Sequence, residues 1–502
     1  MAYARVVDYA SAISYFIHPI SYFIRPIPYT MALTDLYSPA AFRKMGHALI
    51  DQLANHLEAT TSRQETQAIP YQSPDESLAF WQADASQPLP DSPEQLFADV
   101  LARSTRVHHP RYVGHQISAV APAAALAGLL TELLNNGSGA YEMGMAGNAI
   151  ERIVVEHLAH KIGYSASAGG IITSGGTLAN LTALLTARAM LPQDIWHDGM
   201  GAEQLAIIVS EEAHYCVDRA ARIMGLGDAG ILKIPVDSRF KMRTDLLKNT
   251  LEQAQEAGLT VFAVVGSACS TSTGSHDDLV ATGQFARAHG LWFHVDGAHG
   301  GGAFFSPKYK HLLAGAEGAD SVVVDYHKML LVPALATALV YKRGDDAHRT
   351  FQQRAQYLWD STTADWYNSG KRTFECTKFM VGVKVYTLMR LYGDALFEEN
   401  INTLYDLGAT FAAMIQKRPG FELAVVPECN IVCFRYMGAE IDPATLNTLN
   451  ANIRAALLAE GRFYIVQTTL HGQIYLRVSL MNALTTEQDL TELLNAIEAM
   501  AA

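Results

Sequence analysis

Three short stretches hold side chains whose types and spacing suit chemistry. Thr173-Ser174-Gly175-Gly176-Thr177 closes an apolar run and opens a helical one. Glycines let backbone N–H groups approach an anion, Thr177 adds a hydroxyl, and a helix start adds positive potential, so the run can cradle a phosphate. A plain Gly-rich turn has the same composition. The stretch lacks G-x-G-x-x-G spacing and no GK[ST] follows, which disfavours dinucleotide and P-loop sites. His294-Val295-Asp296-Gly297-Ala298 puts a carboxylate at a strand end, where it could bind a metal, move a proton, pair with a protonated ring nitrogen or only cap a loop. Asp325-Tyr326-His327-Lys328 sets a lysine before the apolar Met329-Leu330-Leu331-Val332. Desolvation there is expected to lower the amine pKa and favour imine chemistry, an exposed loop lysine being the plain alternative.

In combination the three stretches fit pyridoxal phosphate. Lys328 would take the aldehyde, and Asp296 would keep the pyridine nitrogen protonated so that the ring accepts electrons. Gly175, Gly176 and Thr177 would hold the phosphate.

The elements that must position these residues alternate. From about His109 to Arg343, β-rich runs such as Leu205–Ser210, Val261–Val265, Leu291–Val295 and Ser321–Val324 end in Gly, Ser, Thr or Asp and are followed by helical runs. That pattern predicts an α/β fold with a mostly parallel central sheet covered by helices on both faces, its ligands at the carboxyl ends of the strands. Ser38-Pro39 followed by Phe42, Met45, Leu49, Leu53 and Leu57 predicts an N-terminal helical segment over 31–108. The large domain is expected over 109–394. Strands at Val432–Tyr436 and Ile474–Val478, with helices at Pro443–Ala459 and Thr486–Met500, predict a small C-terminal α/β domain over 395–502. Residues 13–19 and 20–26 form a near-repeat, ISYFIHP then ISYFIRP, without the features of a signal peptide. Residues 1–30 are read as a leader outside the fold, with an aromatic arm for a partner as the other reading.

Composition limits the partners. The 502 residues carry 37 Lys+Arg against 50 Asp+Glu, a net charge of -13, which disfavours a phosphate backbone, so no nucleic acid is expected. The five cysteines are few and odd in number, and Cys429-x-x-x-Cys433 is not a zinc spacing. A reducing, cytoplasmic location is expected, with neither a disulfide framework nor a metal. The apolar run Ile117–Leu134 is broken by Pro122 and Glu132 and is read as a buried helix, so no membrane partner is expected.

The sequence resembles the group II pyridoxal-phosphate decarboxylases, a family that includes aromatic amino acid, glutamate, cysteine sulfinate, aspartate and diaminobutyrate decarboxylases. His109-Pro110-Arg111-Tyr112, Thr173 to Asn180, Glu212-Ala213-His214-Tyr215, His294 to Ala298, Ala319-Asp320-Ser321, His327-Lys328, Asn430 to Arg435 and Leu476-Arg477 occur in family order from about Ala40 onward. The resemblance implies the fold-type I architecture of pyridoxal-phosphate-dependent transferases and decarboxylation of an L-amino acid, with transamination or oxidative aldehyde formation as rivals and an inactive cofactor-binding regulator as a further one. It implies Lys328 as the Schiff-base lysine, Asp296 at the pyridine nitrogen, Ala298 under the ring and His214 stacked over it. Gly176, Thr177 and His327 would hold the phosphate, and Thr271 would lie near the cofactor. Arg477 and Tyr112 would touch substrate, and Tyr357 would return a proton to Cα. The resemblance further implies a homodimer, with Asn135-Asn136, Tyr141-Glu142 and Met143 facing the neighbouring site. Asp325, where many relatives carry Asn, departs from the pattern, and a carboxylate so near a phosphate is unfavourable unless it turns away or is protonated. Met329, where aromatic amino acid enzymes carry Trp, and His115-Gln116 point to the glutamate, cysteine sulfinate, aspartate and diaminobutyrate branch. A small polar or charged substrate such as 2,4-diaminobutyrate, aspartate or glutamate is therefore expected first, and an aromatic one second.

Overall fold

Short, largely buried apolar runs form one seven-stranded sheet in this computed structural model, which describes residues 32–87, 93–351, 365–438 and 443–501. The expected leader and Tyr357 lie outside the described residues. The strands are β1 (Gly169–Thr173), β2 (Gln204–Ser210), β3 (Ile231–Ile234), β4 (Leu259–Ser267), β5 (Trp292–Asp296), β6 (Ser321–Asp325) and β7 (Thr337–Tyr341), in spatial order β1-β7-β6-β5-β4-β2-β3. Only β7 runs against its neighbours. The sheet is therefore mostly parallel, as expected from the alternating pattern.

Alternate residues of each strand serve opposite faces. Ile207, Val209, Val265, Val323 and Leu339 pack with Ala183, Leu184, Val217 and Ala220 of the helices Gly176–Ala189 and Tyr215–Ile223. Ile208, Val264, Val295, Val322 and Val324 join Val154, Val155 and Leu158 of the helix Ala146–Ile162 on the other face. With helices on both faces, the strands' charged residues have room only at the ends.

A long helix, Gly382–Lys417, broken at Gly393 (φ 66°), leads to a second, antiparallel sheet. Its strands are β8 (Phe421–Leu423), β9 (Ile431–Tyr436), β10 (Val466–Leu470) and β11 (Gln473–Ser479), in order β10-β11-β9-β8. Phe434, Leu476 and Val478 pack with Leu457, Leu490 and Leu494 of the helices Pro443–Glu460 and Glu487–Ala501. Near the N-terminus, Ser38 caps the helix Pro39–Thr61 by accepting from the Ala41 N–H at 3.3 Å.

The run Ile117–Leu134 corrects one expectation. Its helix begins at Pro122, and only Ala124, Ala127 and Thr131 of it are buried. Leu126, Leu129, Leu130, Leu133 and Leu134 are exposed on this chain. A run apolar on every side carries no periodicity to say which face meets the core. Among the described residues no helix is long and apolar enough to cross a membrane.

Candidate active site

The strand ends converge. Gly175 has φ +113°, a conformation that side-chain-bearing residues rarely adopt, and Gly176 begins the helix behind it. A Cβ on Gly176 would stand 3.3 Å from Asp325 Oδ1 and 3.6 Å from the Ala298 Cβ, so the cradle, the β5 end and the β6 end close on one another here. Thr177 and Ser174 are exposed at the mouth of the cradle. Asp296 Oδ1 accepts from the Ala298 N–H at 3.1 Å, and the Ala298 carbonyl accepts from the Asp325 N–H at 3.1 Å. Asp296 is buried at the end of β5.

Asp325 proves to be the pivot of the floor. Thr337 Oγ1 donates to its Oδ1, Lys328 Nζ lies 3.0 Å from its Oδ2, and His327 Nε2 lies 3.7 Å from that same oxygen. This pairing overturns the expectation for Lys328. Burial does push its pKa down, but Asp325, then Asp296 and Cys269, outweigh it and hold the amine above its ordinary value. Without a partner on its nitrogen, Lys328 is an ammonium. His327 Nδ1 meets the Ala336 backbone at 3.0 Å, which holds the ring over the β6–β7 connection.

His214 caps the helix Tyr215–Ile223. Its Nδ1 accepts from the Cys216 N–H at 3.3 Å, which places the proton of the neutral ring on Nε2. Burial lowers its pKa, and Lys328 opposes protonation further, against the pull of Asp296 and Asp325. His214 borders a cavity of about 310 Å³ with Glu211, Glu212, Thr271, Gln467, Thr468 and Arg477. Arg477 is only 5 % exposed, because β11 is an inner strand of the small sheet. Its Nη2 donates to the Thr271 carbonyl at 2.6 Å, while its Nε has no partner among the described residues. Glu212 Oε2 accepts from Ser272 Oγ across the same cavity. Tyr112 stands apart from that lining, stacked on Tyr464 with ring centroids 5.1 Å apart and buried with Ala68 and Val466.

Sequence reasoning missed a polar chain behind the cradle. Trp292 Nε1 donates to Ser321 Oγ at 2.9 Å, Ser321 Oγ meets His294 Nδ1 at 2.8 Å, and His294 Nε2 meets Asn180 Oδ1 at 2.8 Å. Asn180 Nδ2 then donates to the Gly176 carbonyl at 2.9 Å. Burial holds His294 down to about 4, so the chain is neutral and pins the first turn of the helix without adding charge. His294 and Asn180 are 114 residues apart, and no local pattern pairs them.

These groups match the needs of a phosphorylated pyridine aldehyde: a glycine cradle with little space for a Cβ at Gly176 and a positive φ at Gly175, a small Ala298 beside it, a buried carboxylate and a primary amine. Residues 76–437 match the family described as the pyridoxal-dependent decarboxylase conserved domain. The chain belongs to this family. The L-aspartate decarboxylase dtxS4 of Metarhizium robertsii is 32 % identical over 345 residues, 68 % of this chain and 69 % of that protein. The L-2,4-diaminobutyrate decarboxylase of Acinetobacter baumannii is 26 % identical over 442 residues, 85 % of this chain and 86 % of its own. The crystal structure of mouse CSAD in apo form superposes with a TM-score of 0.86 at 25 % identity, covering 92 % of this chain and 99 % of that one. This pyridoxal-dependent decarboxylase therefore has the type I fold, uses pyridoxal phosphate and acts as an amino acid carboxy-lyase.

Proposed function

We propose that this decarboxylase converts a short L-amino acid with a polar or charged side chain to its amine, with aspartate, glutamate and 2,4-diaminobutyrate as first candidates. The observation that carries this reading is the small cavity beside His214, lined by Glu211, Glu212, Thr271, Gln467, Thr468 and a buried Arg477. A lining with fixed charges of both signs suits a substrate that brings charges of its own, and it would strand an indole among unpaired polar groups.

When bound, pyridoxal phosphate would supply an electron sink for the cleavage of the Cα–carboxylate bond. Lys328 provides the amine that holds the cofactor, Asp296 keeps its ring nitrogen protonated, and Gly175, Gly176, Thr177 and His327 receive its phosphate. Ala298 would leave room for the ring, and neutral His214 would stack on it and offer an N–H. Thr271 holds Arg477 by its carbonyl, and Arg477, whose Nε has no partner among the described residues, is assigned to bind a carboxylate. Tyr357 is assigned as the proton donor to Cα.

The test is a panel of L-amino acids given to purified holoenzyme, with carbon dioxide, amine and peroxide followed together. Amine and carbon dioxide in equal amounts are expected from a short charged substrate, with turnover of aromatic amino acids lower by about 10²-fold or more. Keto-acid formation without carbon dioxide overturns the reading.

The enzyme is further proposed to work as a homodimer in a reducing cytoplasm. All five cysteines are unpaired. The exposed leucines of Pro122–Leu134 and the exposed Tyr141, Met143 and Met145 that follow in the chain are apolar surface that a second copy would cover. Sedimentation is expected to give twice the chain mass, and a monomer mass at working concentration would remove this assembly.

A further inference from the structure

Near Lys328, but outside the cavity lining, three side chains distant in sequence meet in the interior. Cys269 follows β4, His299 follows β5 and Cys429 precedes β9, so the group bridges the two sheets. All three are buried, and the two sulfurs and one ring nitrogen of His299 lie within 4.8 Å of one another. The sulfurs are 3.8 Å apart. Two thiolates each about 2.3 Å from a tetrahedral zinc ion are themselves about 3.8 Å apart, so this spacing needs no rearrangement.

The histidine is already set as a ligand. Asn430 Nδ2 donates to the Leu480 carbonyl at 2.9 Å, which leaves Oδ1 to accept from His299 Nε2 at 2.8 Å. Nε2 therefore carries the ring proton. Nδ1 keeps its lone pair, buried and without a partner among the described residues. A hydrogen bond that fixes tautomer and orientation from the far side of the ring is the usual support of a metal-binding imidazole. Next to it, buried His276 sets Nδ1 3.6 Å from Glu428 Oε2, while its Nε2 has no hydrogen-bond partner among the described residues and would stand 2.7 Å from a Cβ on Gly300. His276 also lines a cavity of about 520 Å³ with exposed Arg239 and Asp245, so open space reaches a neighbour of the group.

We propose that Cys269, Cys429 and His299 form a binding site for one thiophilic divalent cation of the zinc class, with a fourth position open. Binding releases the two thiol protons to solvent. A dication with two thiolates and a neutral imidazole has no net charge, which is what an interior site beside Lys328 requires. Because the ligands come from both sheets, the ion clips the small sheet to the large one and acts on stability rather than on the bond-breaking step.

The test uses full-length holoenzyme freed of purification tags, stripped with chelator, reloaded with Zn²⁺ or Co²⁺ and gel-filtered. The expected result is one metal per chain, a near-ultraviolet sulfur-to-cobalt charge-transfer band, and a Tm that rises on loading. The Cys269→Ser/Cys429→Ser protein is expected to keep its pyridoxal phosphate and lose metal, band and Tm rise together. Equal metal and an equal band in that variant overturn the proposal, because Cys216, Cys376 or Cys433 would then be the ligand. If the variant fails to fold, the wild-type protein decides alone: cobalt removed by gel filtration, with no charge-transfer band, overturns it.

Discussion

Lys328→Ala is expected to abolish decarboxylation, by on the order of 10⁴-fold, the scale seen when one member of a catalytic unit is removed. The reasoning separates two jobs that the amine could do. In the free site Nζ sits 3.0 Å from Asp325 Oδ2, and its charge offsets a buried carboxylate. If that were its whole contribution, Lys328→Arg would restore activity, because a guanidinium keeps the charge and reaches the same oxygen. An arginine cannot give up its proton to condense with an aldehyde. Both variants are therefore expected to lose turnover and the visible absorbance of the lysine–cofactor linkage, and only the alanine variant should lose thermal stability as well. Activity in Lys328→Arg within tenfold of wild type would remove the covalent role. Stability should respond because Asp325 stays buried once its cation is gone, at a cost of about 3–5 kcal/mol.

That comparison also shows what the sequence could and could not convey. The strand ends were legible because Asp296 and Asp325 each terminate a short, fully buried strand, Trp292–Asp296 and Ser321–Asp325, and a covered sheet has no other place for a carboxylate. The raised pKa of Lys328 was not legible. The apolar Met329-Leu330-Leu331-Val332 flank announces desolvation, but the sign of the shift depends on Asp325, whose carboxylate is turned toward the lysine by Thr337 on the next strand. The burial of Arg477 was not legible either, because strand order is a long-range property. Arg477 is buried since β11 lies between β10 and β9. Tyr112 belongs to a motif in family order, yet its ring stacks on Tyr464, which follows the helix Pro443–Glu460 in the small domain. The buried Cys269–His299–Cys429 group was invisible for the same reason, since a spacing rule reads neighbours along the chain and these residues meet only after both sheets have formed.

Asp296→Asn is the sharper test of how the site drives chemistry, with kcat expected to fall by about 10²–10³-fold, the range found when one preorganised electrostatic group is removed. The substitution preserves shape. An asparagine oxygen can still accept from the Ala298 N–H, so the turn after β5 and the seat of the helix beyond it need not move. What it removes is the negative charge, in a site closed off by the β4 and β6 ends, where a charge acts with little screening. A neutral amide cannot hold a proton on a pyridine nitrogen as a carboxylate does, and an unprotonated ring is a poorer electron acceptor. Cofactor content at saturating pyridoxal phosphate should therefore remain near wild type while kcat falls. The loss should appear in kcat rather than in KM, because the substrate contact assigned to Arg477 is untouched. A variant with wild-type kcat would show that Asp296 only caps its loop. A variant that loses its cofactor altogether would show that the carboxylate serves binding more than electron withdrawal.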